Sequence, residues 1–141
     1  MCLTSKAADV KDFLKRNKGK EFVKVYKYLK AKTNRQGRSV LIAPYMKVRY
    51  YAGELDLTDR VLDQNRLKNN IKVSKGFHCY LSPKAISLAK TCDHLVPMYV
   101  KPEDIIGRQK HHAVFKRAIL LKKDYKEAID KYEIYLRNGN S

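Results

Sequence analysis

The stretch Phe22-Val23-Lys24-Val25-Tyr26-Lys27-Tyr28-Leu29 decides the fold of this chain. It is rich in β-branched and aromatic residues interrupted by lysines, a composition typical of a half-buried strand, and we expect that strand to cover residues 21–32. Residues 33–37, which end in Gly37, predict a turn. Residues 38–43 then return antiparallel as the second arm of a hairpin, which Pro44 ends.

Four further segments have strand patterns. Residues 45–51 alternate between apolar positions and basic or tyrosine positions, which predicts a strand with one basic, tyrosine-bearing face. Strands are also expected over 72–81, bent at Gly76, over 94–100, and over about 112–122. Residues 54–70 are polar and form a connection whose helical content the sequence leaves open.

Helical patterns occupy both ends of the chain. Residues 5–17 predict a first helix capped by Ser5, and Ser82-Pro83 begins a short middle helix. Asp124 and Glu127 form a capping box at the start of the terminal helix, the clearest element of the chain. Its predicted buried face is Tyr125, Ala128, Ile129, Tyr132 and Leu136. The order predicts one α+β domain, residues 1–141, with a mainly antiparallel sheet and a packed C-terminal helix.

The positive charge is unevenly distributed. The formal net charge is +17, and the excess lies in residues 1–53 and 71–123, whereas 54–70 and 124–141 are slightly acidic. Such a distribution favours an anionic partner, either nucleic acid or an acidic protein surface. No secretory leader or apolar membrane span is apparent, and three cysteines without CxxC spacing fit reduced thiols, so we expect a cytoplasmic protein without membrane attachment.

Two groups of residues are candidates for the anion site. Residues 108–117 hold a basic cluster with two histidines that suits phosphates, although a solvated strand edge explains it equally simply. Alternation on the first strand would place tyrosines and lysines on one face, where they could stack on bases and contact phosphates. In the alternative interpretation, the terminal helix packs on those tyrosines and the lysine side chains extend past it. The candidate residues are Lys24, Tyr26, Tyr28, Lys30, Arg35, Arg38, Lys47, Arg49, Arg108, Lys110, His111, His112, Lys116 and Arg117.

Metal and catalytic sites are weakly supported. Cys79, Cys92, His78 and His94 offer zinc ligands, but adjacent residues of a strand point to opposite faces, so we predict no metal and no cofactor. The sequence contains no P-loop, GxSxG or HExxH motif and no base-reading motif of an RNA-recognition or helix-turn-helix domain. We therefore expect a protein that is not an enzyme.

The segment Gly76-Phe77-His78-Cys79-Tyr80-Leu81-Ser82-Pro83-Lys84-Ala85 resembles the strand-to-helix element of the ADP-ribosyltransferase superfamily. The resemblance covers about ten residues and implies a nicotinamide pocket in which Tyr80 would stack on the nicotinamide and Ser82 would hold the ribose. Glu103 or Asp104 would supply the acid. The first strand has Val25-Tyr26-Lys27 where that family has a histidine or arginine.

The same segment resembles short proteins of gut anaerobes and their tailed phages, together with the opening Met1-Cys2-Leu3-Thr4, the Val25-Tyr26-Lys27 strand, and Val96-Pro97-Met98-Tyr99-Val100 followed by Pro102. This resemblance implies a phage or mobile-element setting and no assigned activity. We expect a small basic protein that binds nucleic acid or a nucleoprotein complex, in the host cytoplasm or in a virion. The alternatives are a virion component associated with capsid, portal or tail, an inhibitor of host defence and a transferase-like enzyme. Homo-oligomerisation is left open.

Overall fold

The fold is seen in a computed structural model that describes residues 3–43, 49–57, 65–67, 70–73, 76–83 and 93–139. In chain order the elements are β1 (Leu3–Lys6), α1 (Ala7–Arg16), β2 (Val23–Thr33), β3 (Ser39–Ile42), β4 (Arg49–Tyr50), β5 (Gly53–Asp56), β6 (Asn65–Leu67), β7 (Asn70–Val73), β8 (Phe77–Tyr80), β9 (Asp93–Val100), a 3₁₀ helix (Pro102–Asp104), β10 (Ile105–Gln109), β11 (His112–Phe115), β12 (Arg117–Leu120) and α2 (Lys122–Arg137). The α+β class is confirmed.

Strand β2 is the centre of the main sheet. The strands follow the order β10-β11-β8-β2-β9-β12-β5, and β3 pairs with β2 and with β4. Along one edge β2 pairs antiparallel with β9 from Val23 to Lys30, and on the other it meets β8 at Tyr26 and β3 from Lys30 to Thr33. All of these pairings are antiparallel, so the predicted hairpin of β2 and β3 is confirmed.

The two faces of this sheet differ in what they pack against. Val25, Leu29 and Ala31 of β2 are almost inaccessible and belong to one large core cluster, and we call their side the inner face. Both helices pack there: Phe13 of α1 meets the ring of Phe115 edge to face at 5.7 Å, and Tyr132 of α2 is in the same cluster. The opposite side is the outer face, which Leu3 of β1 covers at Val114.

A second, three-stranded sheet, in the order β1-β7-β6, packs against the main sheet near β10 and β11. Leu3 of β1 contacts Val114 and Ile106 there. Gly76, at the start of β8, has φ +126, and a Cβ on it would come within 2.5 Å of Val114 Cγ1. Glycine is therefore required at that position both by its backbone conformation and by the lack of space.

One residue separates the strands β11 and β12. Lys116 bends the chain between them, so that β11 pairs with β8 and β10, while β12 pairs with β9 and β5. The backbone of Lys116 is held on both sides, because its N–H donates to Asp104 O and its carbonyl accepts from Leu57 N. The prediction of one continuous strand over 112–122 was wrong, because the chain forms two strands with different partners there.

Several predicted details were also wrong. Ser5 does not cap α1, because it lies in β1 and its buried hydroxyl accepts a bond from the Arg108 N–H. Asp124 does not cap α2 either, since the helix begins at Lys122 with Leu121 at the cap position. The strand predicted over 72–81 divides at Gly76 between the two sheets, and the connection 54–70 contains strand residues. The middle helix and most of the strand predicted over 45–51 lie outside the described residues.

Candidate anion-binding surface

The outer face of β2 carries the tyrosines and lysines that the sequence singled out. Lys24 is exposed and Tyr26, Tyr28 and Lys30 are half-buried, which confirms that these four alternate with the buried residues. The alternative in which the terminal helix covers the tyrosines is wrong. Tyr132 of α2 hydrogen-bonds through its hydroxyl to Thr33 Oγ1 at 3.0 Å, and Thr33 belongs to the inner side of the strand.

The ladder registers align a row of residues across the outer face. Tyr26 pairs with Pro97 on one side and with Tyr80 on the other, Tyr80 pairs with His112, and His112 pairs with Gln109. These five residues, one from each of five neighbouring strands, are called the outer row below. Because paired residues of a ladder point to the same face, the three rings Tyr26, Tyr80 and His112 stand side by side.

Two rings of the outer row contact each other, and a cation lies beside the third. Tyr80 and His112 meet edge to face with centroids 4.4 Å apart, and Lys24 Nζ lies 5.7 Å from the centroid of Tyr26. Burial lowers the pKa of His112 below that of a free histidine, and the adjacent His111 lowers the pKa further. At neutral pH His112 is therefore an uncharged ring, and Lys24 supplies the positive charge.

A second pair of cation and aromatic ring extends the outer face beyond β2. The registers place Lys30, Ile42 and Arg49 in one row, so Arg49 lies on the same face as Lys30. The guanidinium carbon of Arg49 is 4.6 Å from the ring centroid of Tyr51, which is half exposed. The face thus combines cations with partly exposed rings at two places.

Several of the other basic candidates lie in turns or at the bend before β12. Arg35 and Arg38 are exposed in the turn between β2 and β3, where Asn34 Oδ1 accepts from the backbone N–H groups of Gln36 and Arg38. Lys110 and His111 are exposed in the turn between β10 and β11, beside the His112 end of the outer row. Lys116 is half-buried at the bend before β12, and Lys47 lies outside the described residues.

Arg108 holds α1 to the sheet. Its Nη1 bonds to Asp12 Oδ2 at 2.9 Å, its Nε donates to Lys110 O at 3.0 Å, and its side chain is 17% exposed. The hydrogen bond from Arg108 lowers the pKa of Asp12 most, and Arg16 lowers it further. The positive charge of Arg108 is therefore already paired with the Asp12 carboxylate.

Arg117 is matched in the same way. Its Nη2 bonds to Asp104 Oδ1 at 2.7 Å, and the Asp104 side chain is 3% exposed. This hydrogen bond raises the pKa of Arg117, to which the charges of Asp104, Asp56 and Glu54 add smaller increases. The sequence could not reveal Asp12 and Asp104 as partners because both are distant from the arginines along the chain.

Lys27 is a polar residue of the inner face that sequence reasoning did not single out. Its amine donates to the His78 carbonyl at 2.8 Å and lies 6.0 Å from the ring centroid of Tyr50. Burial lowers the pKa of Lys27 and raises the pKa of neighbouring Cys79 to about 11. The signal was present in the alternation, since Lys27 shares the parity of Val25 and Leu29.

The described geometry separates the residues of the transferase-like pocket. Tyr80 ends β8 at the Gln109 side of the β10–β11–β8 ladder, and Ser82 follows it. Glu103 is exposed in the 3₁₀ helix that precedes Ile105, at the opposite end of that ladder. The structure therefore does not bring Glu103 beside Tyr80 and Ser82.

Among the residues that the structure describes, no group of three or more His, Cys, Asp or Glu side chains is arranged to hold a metal ion, and Cys92 lies outside those residues. Within the same described part of the chain, no helix has the length and apolar character needed to cross a membrane. Comparison with known protein families, curated proteins and solved structures finds no match.

Proposed function

We propose that this chain is a non-enzymatic protein that binds nucleic acid, or a complex containing nucleic acid, through the outer face of the main sheet. One observation carries the proposal: the ladder registers align Tyr26, Tyr80 and His112 on the side of the sheet opposite to both helices, with Lys24 and Lys30 flanking the tyrosines of β2. Partly exposed rings beside cations are the chemistry that proteins use to hold bases and phosphates together.

The charges of the chain favour a polyanionic partner. The net charge of +17 draws a polyanion to the protein, but Arg108 and Arg117 are already paired with Asp12 and Asp104. Lys24 is exposed and pairs in the ladder with Tyr99. It is therefore the best single cation with which to test phosphate contact.

The biological setting that fits this proposal is that of a phage or mobile-element protein acting in the host cytoplasm or in a virion. A virion component would use the same face against packaged nucleic acid and would assemble into a stable ring or lattice. An inhibitor of host defence would use it against a nucleoprotein enzyme and would form a complex of fixed stoichiometry. Size-exclusion chromatography with light scattering separates these outcomes.

The test of the proposal is a binding titration with labelled nucleic acid at several salt concentrations. If phosphates are neutralised at the outer face, the logarithm of affinity should fall linearly with the logarithm of salt concentration, by roughly 0.7 to 0.9 per phosphate contacted. Lys24→Gln should weaken binding and reduce that slope. Lys126→Gln removes the same charge from an exposed position on α2 and should change neither. Absence of binding at low salt would refute the proposal.

A further inference from the structure

The outer row offers rings rather than a set of protruding cations. Tyr26, Tyr80 and His112 occupy neighbouring strands, and the only cation shown over one of these three rings, among the residues that the structure describes, is Lys24. A duplex presents phosphates on its outside and keeps the faces of its bases stacked inside. A row of rings contributes little to binding a duplex, whereas it matches unpaired bases directly.

We infer that the outer row is a stacking platform for unpaired bases, so that the ligand of this face is single-stranded nucleic acid. This inference rests on the proposed function and narrows it. It makes Tyr80 the central binding residue, because Tyr80 has a ring neighbour on both sides, Tyr26 on β2 and His112 on β11.

The spacing of the strands sets the direction and the length of the site. Neighbouring strands lie about 4.8 Å apart, so the three rings extend over roughly 10 Å at a right angle to the strands. That distance accommodates two or three stacked or partly splayed nucleotides. The bound strand therefore crosses the sheet from β2 toward β11, and the exposed turn residues Lys110 and His111 lie beyond the last ring.

The state of the rings agrees with stacking. Tyr26, Tyr80 and His112 are each half-buried, so they are held in place and yet retain accessible surface. Edge-to-face contact at 4.4 Å fixes the His112 ring against Tyr80. Burial keeps the pKa of His112 low, and an uncharged imidazole is a flat ring that stacks on a base at neutral pH. Lys24, beside Tyr26, is placed to contact a phosphate at the first end of the platform.

The experiment compares three labelled probes by fluorescence anisotropy at one low salt concentration. The probes are an eight-nucleotide single strand, its duplex, and an abasic strand of the same length. We expect the single strand to bind at least tenfold more tightly than the other two. Equal affinity for all three probes would overturn the inference and leave the proposed function standing, whereas no binding to any probe would overturn both.

Variants of Tyr80 give a second readout. Tyr80→Leu removes the ring and should weaken single-strand binding about tenfold, while its effect on the duplex should be under twofold. Tyr80→Phe keeps the ring and should retain wild-type affinity within about twofold. Tyr125→Leu, on α2, is the matched control and should not change binding. If Tyr80→Leu does not fold by circular dichroism, Tyr26→Leu replaces it. Wild-type single-strand affinity in a folded ring-deleted variant would refute the platform.

Discussion

Lys24 and Lys27 lie three residues apart on the same strand, and their surroundings differ completely. Lys24 is exposed on the outer face and lies over the ring of Tyr26. Lys27 is on the inner face, where its amine has the His78 carbonyl as a partner and burial lowers its pKa. The period of two residues along a strand produces this difference, because it sends neighbouring positions to opposite sides of the sheet.

The comparison shows that a count of basic residues overstates the charge available to a partner. The Lys27 amine is bonded to the His78 carbonyl on the inner face, while Arg108 and Arg117 are paired with Asp12 and Asp104. The basic residues that remain for an anionic ligand are exposed on the outer face, in the turns and on the two helices. Net charge therefore indicates the class of partner, and the parity of each strand indicates which face can meet it.

The largest effect should follow from truncation of the inner face. Leu29 is completely buried in the core, and Leu29→Ala should lower the free energy of unfolding by about 2–5 kcal/mol. Lys24→Ala changes an exposed position of the same strand and should shift that free energy by no more than about 0.5 kcal/mol. Urea denaturation measures both. Comparable losses in the two variants would mean that the faces are assigned wrongly.

A smaller effect of opposite sign is expected at Lys27. Lys27→Met keeps the unbranched stem in the core and removes a buried amine, whose burial costs roughly 1–3 kcal/mol, while it gives up a hydrogen bond worth about 1 kcal/mol. We expect a net gain of about 1 kcal/mol in the free energy of unfolding at pH 7. Lys24→Met is the control on the outer face and should give no gain. A destabilised Lys27→Met variant would show that the amine supports the core.

The pH dependence of the same variant sharpens this test. The pKa of Lys27 is lower in the folded state than its ordinary value of 10.5, so the unfolded chain binds more protons between those two values. Stability that involves Lys27 is then present at high pH and lost as the pH falls toward the folded-state pKa. The advantage of Lys27→Met should shrink as the pH rises toward 10.5. An advantage that stays constant up to that pH would mean that the pKa of Lys27 is not lowered in the folded state.

Cys79 acts in the opposite direction at higher pH. Its pKa rises from an ordinary 9.0 to about 11 on burial, so the folded state keeps a proton that the unfolded chain loses. Stability that depends on Cys79 is complete below pH 9 and is lost between about pH 9 and 11. Lys27→Met, which lacks the opposing effect of Lys27, should therefore become less stable above pH 9 in urea denaturation. Cys79→Ala is the control. It has no thiol to titrate, so its free energy of unfolding should lack the part of this fall that Cys79 causes.

Local patterns accounted for much of the fold. The alternation in Val23–Thr33 predicted both the central strand and the division of its residues between two faces. The apolar periodicity after residue 124 predicted α2, although Ala128 and Tyr132 are buried and Tyr125, Ile129 and Leu136 only partly so. These features depend on residues close together in the sequence, which is why a single sequence could reveal them.

Features that depend on distant residues could not be predicted. The row from Tyr26 to Tyr80 to His112 exists because strands far apart in the chain pair in one register. At Lys116 the chain changes its strand partner from β8 to β9, and no residue type at this position predicts the change. Ser5 and Asp124 had the right chemistry for helix caps, but Ser5 is used by the Arg108 backbone and α2 begins two residues earlier.

The smallest expected effect tests the side on which α2 packs. Tyr132→Phe removes the hydroxyl that hydrogen-bonds to Thr33 at the rim of the inner face. It should lower the free energy of unfolding by about 0.5 kcal/mol. This value is the low end of the range for such bonds, because Thr33 is exposed. Tyr51→Phe removes a hydroxyl from a half-exposed ring and should have no measurable effect. Thr33→Val together with Tyr132→Phe should cost less than the sum of the single changes, since each deletes the same bond. Strict additivity in this double-mutant cycle would mean that α2 does not contact β2 through this pair. The evidence that α2 packs on the inner face, and leaves the outer face uncovered, would then be weaker.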